Sequence, residues 1–422
     1  MRVAVIGGGA AGLTTAWLLD GEHDVTLFEK DERLGGHAHT VAIVTDQGRL
    51  DVDAGFQFFA PGASYRTFNR LLDVLAVPRR AYPATLTVFS AQRGGAVVMP
   101  PFGPGGPVWS SLTPKAVSTL LRFRRFLAGI PAFRERRDTS VTISAYLESR
   151  RLPKEFVDDF LFPLLLSFWC VEPEQFREFA AYNALYYLGA NLPGGLRPPM
   201  QSEIPGGLRV YIDALAGGLV RTSVRLGADV RGITRDARGF TVADAAGEFH
   251  PFDRVVVATN ARQARGLIGG IPELGTAAAQ LERFSYFDTR VAIHGDPRRM
   301  PRDRAAWSVV NARWDGAHSA LSIWNPRRSV PVFKSWVTFD RKLPEPVYAL
   351  AEYEHGAIDL AYFDAQRRLR RLQGDHGLWL AGLYTDDADS HESAIRSAVT
   401  VARALAPGSP RLALLDGGPP GA

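Results

Sequence analysis

The chain of 422 residues carries 49 basic and 44 acidic side chains, and its formal net charge is +5. An excess this small does not indicate a nucleic-acid-binding surface, and a composition of 46% hydrophobic and 22% charged residues excludes a disordered or fibrous chain. The single cysteine, Cys170, excludes an internal disulfide framework, a cysteine-rich zinc site and a CxxC redox pair, which fits a reducing cytoplasm.

The first predicted element is a buried strand, Arg2 to Ile6, because its sequence RVAVI is largely apolar and rich in β-branched residues. Gly7, Gly9 and Gly12 follow as a GxGxxG turn before a helix predicted through Leu13 to Leu19. In such a unit the first glycine permits a tight turn, the second lets backbone approach a pyrophosphate, and the third lets the helix pack on the strand. The pattern predicts a dinucleotide site.

A second predicted strand, Val25 to Phe28, ends at Glu29, seventeen residues beyond Gly12. A carboxylate at this point accepts hydrogen bonds from a ribose and disfavours a 2′-phosphate, so NADP is not expected here. A glycine-rich turn with a purely structural role is the alternative. The strand, the helix and the acid together favour dinucleotide binding.

The segments that follow Glu29, KDERLGGHAHTV and RLDVDAGFQFF, resemble the FAD-binding amine-oxidase and phytoene-desaturase superfamily. The pattern GGHxxTV resembles a bacterial group of oxidoreductases within it. The resemblance implies FAD, whose pyrophosphate and flavin ring contact the loop of Gly35, Gly36 and His37 and the turn at Gly55. Further residues implied to contact the cofactor in this part of the chain are Ala10, Ala11, Lys30, Thr40 and Phe56. No metal site is expected, because His37 and His39 would need further ligands.

Three later segments resemble the same superfamily. Ile204 to Gly217 resembles its PGG…L segment, and Val230 is implied to meet the adenine through its backbone. The sequence FDRVVVATNARQ resembles a strand and turn of the family, which implies cofactor contacts of Ala258 and Thr259. Each segment alone is common in α/β proteins, but their order along the chain favours the resemblance.

The segment from Gly377 to Ala406 resembles the closing motif of the superfamily, in which a strand ends at Gly382 and a helix begins near Ser390. Asp389 or Ser390 is the predicted N-cap of this helix. The resemblance implies that Gly382 and Leu383 approach the ribityl chain, although many members carry an acid at the position of Leu383. Helix N–H groups at this point would stabilise the negative charge of reduced flavin. The N–H groups implied are those of Glu392, Ser393, Ala394 and Ile395.

The predicted fold class is α/β, with a discontinuous Rossmann-type FAD-binding domain and an inserted α+β substrate domain that combines an antiparallel sheet with helices. Residues 1–81, 198–266 and 376–406 are assigned to the FAD-binding domain, and residues 82–197 and 267–375 to the substrate domain. We expect the first inserted segment to be mostly helical. The Gly/Pro-rich tail, residues 407–422, is expected to be loosely ordered.

The substrate is expected to be small and apolar. Aromatic residues are frequent between Phe160 and Tyr187, where they either build a helical core or, beside a flavin, line an apolar pocket. We therefore expect a lipid- or isoprenoid-like molecule that is dehydrogenated or desaturated by hydride transfer to flavin N5. The alternatives are an amine or amino-acid oxidase that produces hydrogen peroxide, and a dinucleotide-binding protein without catalysis.

Amine oxidases of this superfamily usually carry a lysine beside the flavin, and the strand that we align with theirs has Arg290 near that position. Lys334 is predicted on a different strand, so the lysine position has no obvious occupant, which argues against amine oxidation. His294 and Tyr384 are the candidate catalytic residues, with Asp387 as a further candidate base. His294 is also explained as a structural histidine of a strand. The FAD is expected to be non-covalent, because Cys170 lies outside the C-terminal motif where covalent members carry their cysteine.

The segment Leu120 to Arg137 concentrates arginine among apolar residues, a pattern typical of helices on anionic membranes and also of solvated helices with one buried face. Pro131 is expected to break or kink it. The apolar run Phe160 to Trp169 is too short to span a bilayer. We expect a cytoplasmic protein without a nucleic-acid partner. Peripheral contact with the inner face of the membrane is left open. The sequence leaves the oligomeric state open.

Overall fold

The computed structural model describes residues 1–92, 95–103, 106–190, 198–328 and 330–417. The strands in these ranges are β1 (Arg2–Ile6), β2 (Asp24–Phe28), β3 (Thr40–Thr45), β4 (Gly48–Asp53), β5 (Arg80–Pro83), β6 (Leu86–Ser90), β7 (Ala96–Met99), β8 (Phe102–Gly103), β9 (Gly106–Pro107), β10 (Met200–Glu203), β11 (Ser223–Arg225), β12 (Val230–Asp236), β13 (Gly239–Asp244), β14 (Phe249–Phe252), β15 (Arg254–Val257), β16 (Tyr286–His294), β17 (Val310–Trp314), β18 (Ser319–Trp324), β19 (Phe333–Trp336), β20 (Val347–Gly356) and β21 (Leu378–Leu380).

The helices in the same ranges are α1 (Ala10–Leu19), α2 (Arg66–Val74), α3 (Pro114–Ala128), α4 (Ile130–Glu135), α5 (Ile143–Ser149), α6 (Lys154–Phe156), α7 (Phe162–Ser167), α8 (Pro173–Arg177), α9 (Ala181–Ala184), α10 (Tyr186–Ala190), α11 (Arg209–Gly217), α12 (Ala261–Ile268), α13 (Gly275–Leu281), α14 (Leu360–Arg371), α15 (His391–Leu405) and α16 (Pro410–Leu415).

A parallel sheet holds the first predicted strands at its centre. Its strands lie in the order β11, β2, β1, β15 and β21, and Ile6 of β1 lies opposite both Phe28 and Val257. The core of the sheet is built by apolar residues such as Val5 and Leu27, which have no exposed surface. Because all these strands are parallel, their carboxyl ends meet at one edge, where ligands bind in open α/β sheets.

A largely antiparallel sheet forms the second layer, with the strand order β20, β16, β19, β18, β17, β6 and β7. Residues that lie directly opposite one another share a face. Ile293 of β16 lies opposite Lys334, which lies opposite Ile323 of β18. Helix α7 packs on β17 and β18, where Leu321 and Ile323 join the main apolar core. These two layers confirm the predicted α/β fold class.

One expectation about the polypeptide was confirmed and one was wrong. The first inserted segment is mostly helical, as predicted, because α3 to α10 lie between residues 114 and 190, whereas β6 to β9 are short strands within residues 86–107. The tail is not loosely ordered up to residue 417, because α16 packs against α2, and the Ser409 hydroxyl donates to the Leu18 carbonyl oxygen (2.9 Å). Residues 418–422 of the predicted tail lie outside the described residues.

The basic segment is interrupted directly before Pro131, as predicted, because a proline disrupts the helical turn that precedes it. Helix α3 ends at Ala128 and α4 begins at Ile130, so the interruption lies at Gly129. Pro131 lies in the first turn of α4, where a missing N–H costs no intrahelical hydrogen bond. No helix in the described part of the chain combines the length and the apolar character that crossing a bilayer requires.

Candidate active site

The glycines after β1 lie against the carboxyl ends of the neighbouring strands. Gly7 has a φ of +105°, and a Cβ added there would lie 2.9 Å from the Ala258 carbonyl oxygen. A Cβ on Gly12 would lie 1.8 Å from the Gly7 carbonyl oxygen and 3.0 Å from the Ala258 Cβ. The close packing of α1 on the sheet therefore requires glycine at Gly12.

Glu29 extends this edge from β2. Its carboxylate accepts hydrogen bonds from the Gly8 N–H (2.5 Å) and the Asp31 N–H (2.9 Å), and it is buried. The Glu29 carbonyl oxygen accepts the Ala228 N–H (2.8 Å), so the segment that leads to Val230 also lies here. A charged acceptor is thus fixed beside the glycine turn.

Two loops complete the edge. The Gly35 N–H donates to the Gly8 carbonyl oxygen (2.8 Å), and a Cβ on Gly36 would lie 3.2 Å from the Gly9 Cα. A Cβ on Gly55 would lie only 2.0 Å from the His37 carbonyl oxygen, so the two loops pack without room for a side chain. Thr40 contributes to the loops rather than facing outward, because its hydroxyl donates to Asp53 (2.6 Å).

His37 lies beside His355, and their ring centroids are 5.5 Å apart. Loss of hydration is the main cause that lowers the pKa of His37, and it lowers the pKa of the half-buried His355 to about 3. The neutral form of both rings is therefore favoured.

The residues at this edge of the sheet fit FAD. Helix α1 begins at Ala10 after its N-cap Gly9, and it has no side-chain cap and no acidic residue in its first turn, so its N-terminal N–H groups are left for an anionic ligand such as a pyrophosphate. Glu29 supplies an acceptor at the neighbouring strand end. Lys30, by contrast, is exposed at the surface.

The C-terminal motif reaches the same edge. Gly382 has a φ of +143°, and a Cβ there would lie 3.7 Å from the Thr259 carbonyl oxygen. Leu383 is half-buried beside it. Helix α15 begins after Ser390, which the sequence named as one of two N-caps and whose hydroxyl accepts the Ser393 N–H (3.2 Å).

The helix N–H groups that were expected to face the flavin are partly occupied. The Ser393 and Ala394 N–H groups donate to Ser390, and Ile395 is fully buried within the helix core. In the described part of the chain, the His391 and Glu392 N–H groups have no acceptor. The free donors are therefore the Glu392 N–H, which belongs to the expected set, and the His391 N–H, which lies one residue before it.

The Glu392 side chain has a structural partner that the sequence did not indicate. Its carboxylate accepts the Thr67 N–H (2.8 Å) and the Phe68 N–H (2.8 Å), which belong to the first turn of α2. A buried carboxylate at a helix N-terminus stabilises the helix through hydrogen bonds and the helix dipole. The Glu392 side chain thus ties α2 to α15.

We expect Glu392→Ala to lower the free energy of unfolding by about 2 kcal/mol, because it removes both N-terminal acceptors of α2. Urea unfolding measures the change. Glu135→Ala is the matched control, since Glu135 is exposed and forms no ion pair in the described ranges. A variant that loses FAD while keeping its unfolding free energy would contradict this role of Glu392.

Lys334 is a lysine that the sequence did not predict to lie beside the cofactor loops. It lies on β19, it is 3% exposed, and its Nζ donates to the Gly55 carbonyl oxygen. Burial lowers the pKa of Lys334 to about 7, although the negative charge of Asp53 acts in the opposite direction and raises it. Arg290, which the sequence put near the lysine position, lies on the opposite face of the sheet from Lys334. Its backbone N–H donates to the Thr338 hydroxyl (3.1 Å).

A row of rings leads from the loop of Gly35, Gly36 and His37 to the helical layer. The sequence assigns this loop to FAD, and we call it the FAD loop. The centroid distances between neighbouring rings are 5.5, 6.0, 6.1, 5.6 and 5.7 Å. We call this set the aromatic row; in order it comprises His37, His355, Phe287, Phe179, Trp169 and Tyr187. The row joins residues from both inserted segments to the loop at Gly36.

Asp389 lies at the far end of the aromatic row. Its backbone carbonyl accepts the Tyr187 hydroxyl (3.3 Å), and its N–H donates to the Asn183 side chain (2.8 Å). Its buried carboxylate has no hydrogen-bond partner among the described residues, and burial raises its pKa to about 7. A carboxyl group that titrates near neutrality can exchange a proton or pair with a cation.

The structure does not bring the catalytic candidates together. His294 is fully buried on the face of the sheet away from Lys334, where its ring nitrogens bond the Ser335 hydroxyl (2.8 Å) and the Asp296 N–H (3.1 Å). Burial lowers its pKa to about 4. Tyr384 follows Gly382, but its ring packs on Phe284 at 5.5 Å.

Two further residues of interest lie away from the row. The Asp387 carboxylate accepts the Tyr182 hydroxyl (3.1 Å), so it has a structural partner. Cys170 is buried, its thiol donates to the Ser167 carbonyl oxygen (3.1 Å), and burial raises its pKa to about 12. A thiol with this pKa is not a nucleophile at neutral pH.

Asp244, Glu248 and His250 bring possible metal ligands within 4.8 Å of one another. They are, however, engaged in a local ion-pair cluster: His250 contacts Asp244 at 3.2 Å, and Arg225 contacts Glu248 at 3.2 Å. His39, the second histidine of the HxH pair, bonds the Tyr353 hydroxyl (3.1 Å). These contacts give each group a partner within the protein.

Comparisons with known proteins agree with this geometry. The family model described as "Flavin containing amine oxidoreductase" matches residues 10–347. A search of curated proteins finds no match.

Solved structures of similar fold cover nearly all of the chain. One, the "Putative protoporphyrinogen oxidase from Exiguobacterium sp. 255-15", has a TM-score of 0.63 at 16% identity and covers 96% of this chain and 98% of its own. Wild-type putrescine oxidase bound to putrescine has a TM-score of 0.67 at 14% identity, with coverage of 96% and 99%. Cyclohexylamine oxidase from Brevibacterium oxydans IH-35A has a TM-score of 0.66 at 16% identity, with coverage of 96% and 98%. The family match over most of the sequence shows that the chain belongs to the flavin-containing amine oxidoreductases and is an FAD-dependent oxidoreductase.

Proposed function

We propose that this oxidoreductase dehydrogenates or desaturates an apolar small molecule, lipid- or isoprenoid-like, that lies along the aromatic row. In this proposal residues 1–81, 198–266 and 376–406 bind FAD, and residues 82–197 and 267–375 bind the substrate. FAD, when bound, supplies the hydride acceptor. The carrying observation is the aromatic row itself, which starts at the FAD loop and in which Phe287 and Tyr187 keep part of their apolar surface accessible, while Trp169 and Phe179 are buried behind them.

The charge state of the row supports an apolar substrate. The pKa of His355 is lowered to about 3, and the pKa of His37 is also lowered by loss of hydration. Both rings are therefore neutral at neutral pH. A neutral aromatic wall attracts hydrocarbon through burial of apolar surface.

Dehydrogenation also removes a proton, which needs an acceptor on the chain. Asp389 fits this role, because its carboxylate is buried, lacks a partner among the described residues and has a pKa of about 7. Lys334 holds the Gly55 turn through its Nζ. We assign proton transfer to Asp389 and positioning of the Gly55 turn to Lys334.

The same acid favours a second candidate, the oxidation of an amine. A buried carboxylate beside Tyr187 and near Tyr286 could pair with a protonated amine, and tyrosine rings stabilise such a cation through their faces. Lys334 also weakens the argument that the sequence made against amines, since a buried lysine does lie beside the FAD loop.

We expect Asp389→Asn to lower kcat by about 100-fold with little change in KM, because general base catalysis contributes factors of about 100 to 10,000. The measurement is anaerobic bleaching of the flavin by an apolar lipid extract and, separately, by primary amines. Bleaching by lipid alone supports the main proposal. Bleaching by amines, with hydrogen peroxide released on aeration and a variant defect in KM rather than kcat, would replace it with amine oxidation.

A further inference from the structure

The turn before α3 and the outer side of α3 expose large apolar side chains. Phe102 is 55% exposed, Trp109 76%, Val117 40% and Leu121 64%. All four fall within a stretch of twenty residues. Exposed apolar side chains grouped in this way mark an interaction surface more often than scattered ones do.

These side chains belong to one continuous piece of structure. The Val108 N–H donates to the Pro101 carbonyl oxygen (3.0 Å), which closes the β8–β9 hairpin that carries Phe102. Trp109 follows directly and forms a turn that ends at Thr113, the N-cap of α3. On α3, residues 117 and 121 are one turn apart and therefore lie on the same side.

The opposite side of α3 is anchored in the protein. Thr119, Phe123 and Phe126 are buried, and the Phe123 ring meets the Phe160 ring edge-on at 5.2 Å. The helix is thus held in place by its inner side. Because the inner side of α3 is well packed, loose packing of the helix does not explain why the apolar side chains on its outer side are exposed.

The charge of this region is strongly positive. From Pro114 to Arg137 the sequence contains seven basic residues and one acidic residue, Glu135. The side chains of Arg122, Arg124 and Arg125 are exposed and form no ion pair or hydrogen bond within the described ranges. Most other surface arginines on helices do have partners, for example Arg265 with Glu282 at 3.0 Å.

We propose that this region, the α3 surface, binds anionic lipid membranes. It is defined by Phe102, Trp109, Val117, Leu121, Arg122, Arg124 and Arg125. Tryptophan and leucine enter the headgroup boundary while neighbouring arginines contact lipid phosphates, which is the composition of interfacial helices. A nucleic acid would use the arginines but would leave Leu121 and Val117 in water.

The proposal stands apart from the substrate proposal. Binding to vesicles requires neither turnover nor FAD reduction, and the α3 surface shares no residue with the aromatic row. A protein that is bleached by lipid yet ignores vesicles would overturn only this inference. One that binds vesicles but is bleached only by amines would overturn only the substrate proposal.

The test is co-sedimentation of the FAD-loaded protein with vesicles of phosphatidylcholine, with and without phosphatidylglycerol. We expect binding to the anionic vesicles that weakens as salt rises. The triple variant Arg122→Gln, Arg124→Gln and Arg125→Gln should lower the partition coefficient about 100-fold, since each arginine near an anionic surface is worth about a factor of five. Trp109→Ser combined with Leu121→Ser should lower it about 10-fold or more through lost apolar burial.

The matched control replaces Arg238, Arg302 and Arg371 by glutamine, because these arginines are exposed and have no side-chain ion pair among the described residues. We expect the control to bind vesicles like the wild type. Flavin content and thermal unfolding show that each variant is folded. Equal losses in the control and the test triple, or absence of binding to anionic vesicles, would overturn the proposal. Binding of duplex DNA that depends on the three arginines and not on Trp109 would replace the membrane with a nucleic acid.

Discussion

Gly12→Ala is expected to give a protein that purifies without FAD. The new Cβ would lie 1.8 Å from the Gly7 carbonyl oxygen, and a backbone atom cannot rotate away as a side chain can. Overpacking of this kind costs about 3 kcal/mol, and the same energy taken from cofactor binding weakens FAD about 100-fold. Visible absorbance and FAD content per chain measure the effect.

Gly266→Ala is the matched control. Gly266 also lies within a helix, α12, but a Cβ there meets no atom within 4 Å. Alanine at such a site should raise the free energy of unfolding by about 0.5–1 kcal/mol and leave FAD content unchanged. A yellow Gly12→Ala protein with wild-type affinity for FAD would contradict the placement of the cofactor at this helix.

Lys334→Met is expected to change how stability depends on pH. The pKa of Lys334 is about 7 in the folded protein against 10.5 for an ordinary lysine, so between these values the unfolded chain binds a proton that the folded chain does not. The wild type therefore gains stability as pH rises through this range and loses it as pH falls toward 7. Relative to the variant, the gain should reach at most about 1.4 kcal/mol per pH unit.

Lys342→Met separates this effect from the general titration of lysines. The Lys342 side chain is 72% exposed and pairs only with Glu345 in the described ranges. Chemical unfolding at several pH values should give parallel curves for Lys342→Met and the wild type, and a divergent curve for Lys334→Met. Parallel curves for all three proteins would show that Lys334 is not desolvated beside Gly55.

Local patterns predicted the central strands of the parallel sheet well. The strand at Arg2–Ile6 and the N-cap at Ser390 were both correct, because β-branched runs and capping residues act within a few positions of the chain. The helix after GxGxxG begins at Ala10, three residues earlier than predicted. The strand that carries Lys334 extends only from Phe333 to Trp336, and it is shorter than its neighbours β16 and β18.

Contacts between segments that lie far apart in the chain could not be predicted from the sequence. The opposite faces on which Lys334 and His294 lie follow from the register of β16 against β19, and a shift by one residue would change which residues share a face. The partner of Glu392 lies about 325 positions away in α2. Asp389 was considered only as an N-cap, because nothing in its neighbours indicates that its carboxylate is buried.

The most direct test of the account is the flavin content of the purified wild-type protein, measured before and after denaturation. The account predicts a yellow protein with one FAD per chain that releases all its FAD into the filtrate on denaturation, since the buried Cys170 thiol is not a site of attachment. A colourless protein that takes up no added FAD would contradict the cofactor site at the strand ends. FAD that stays on the denatured chain would contradict non-covalent binding.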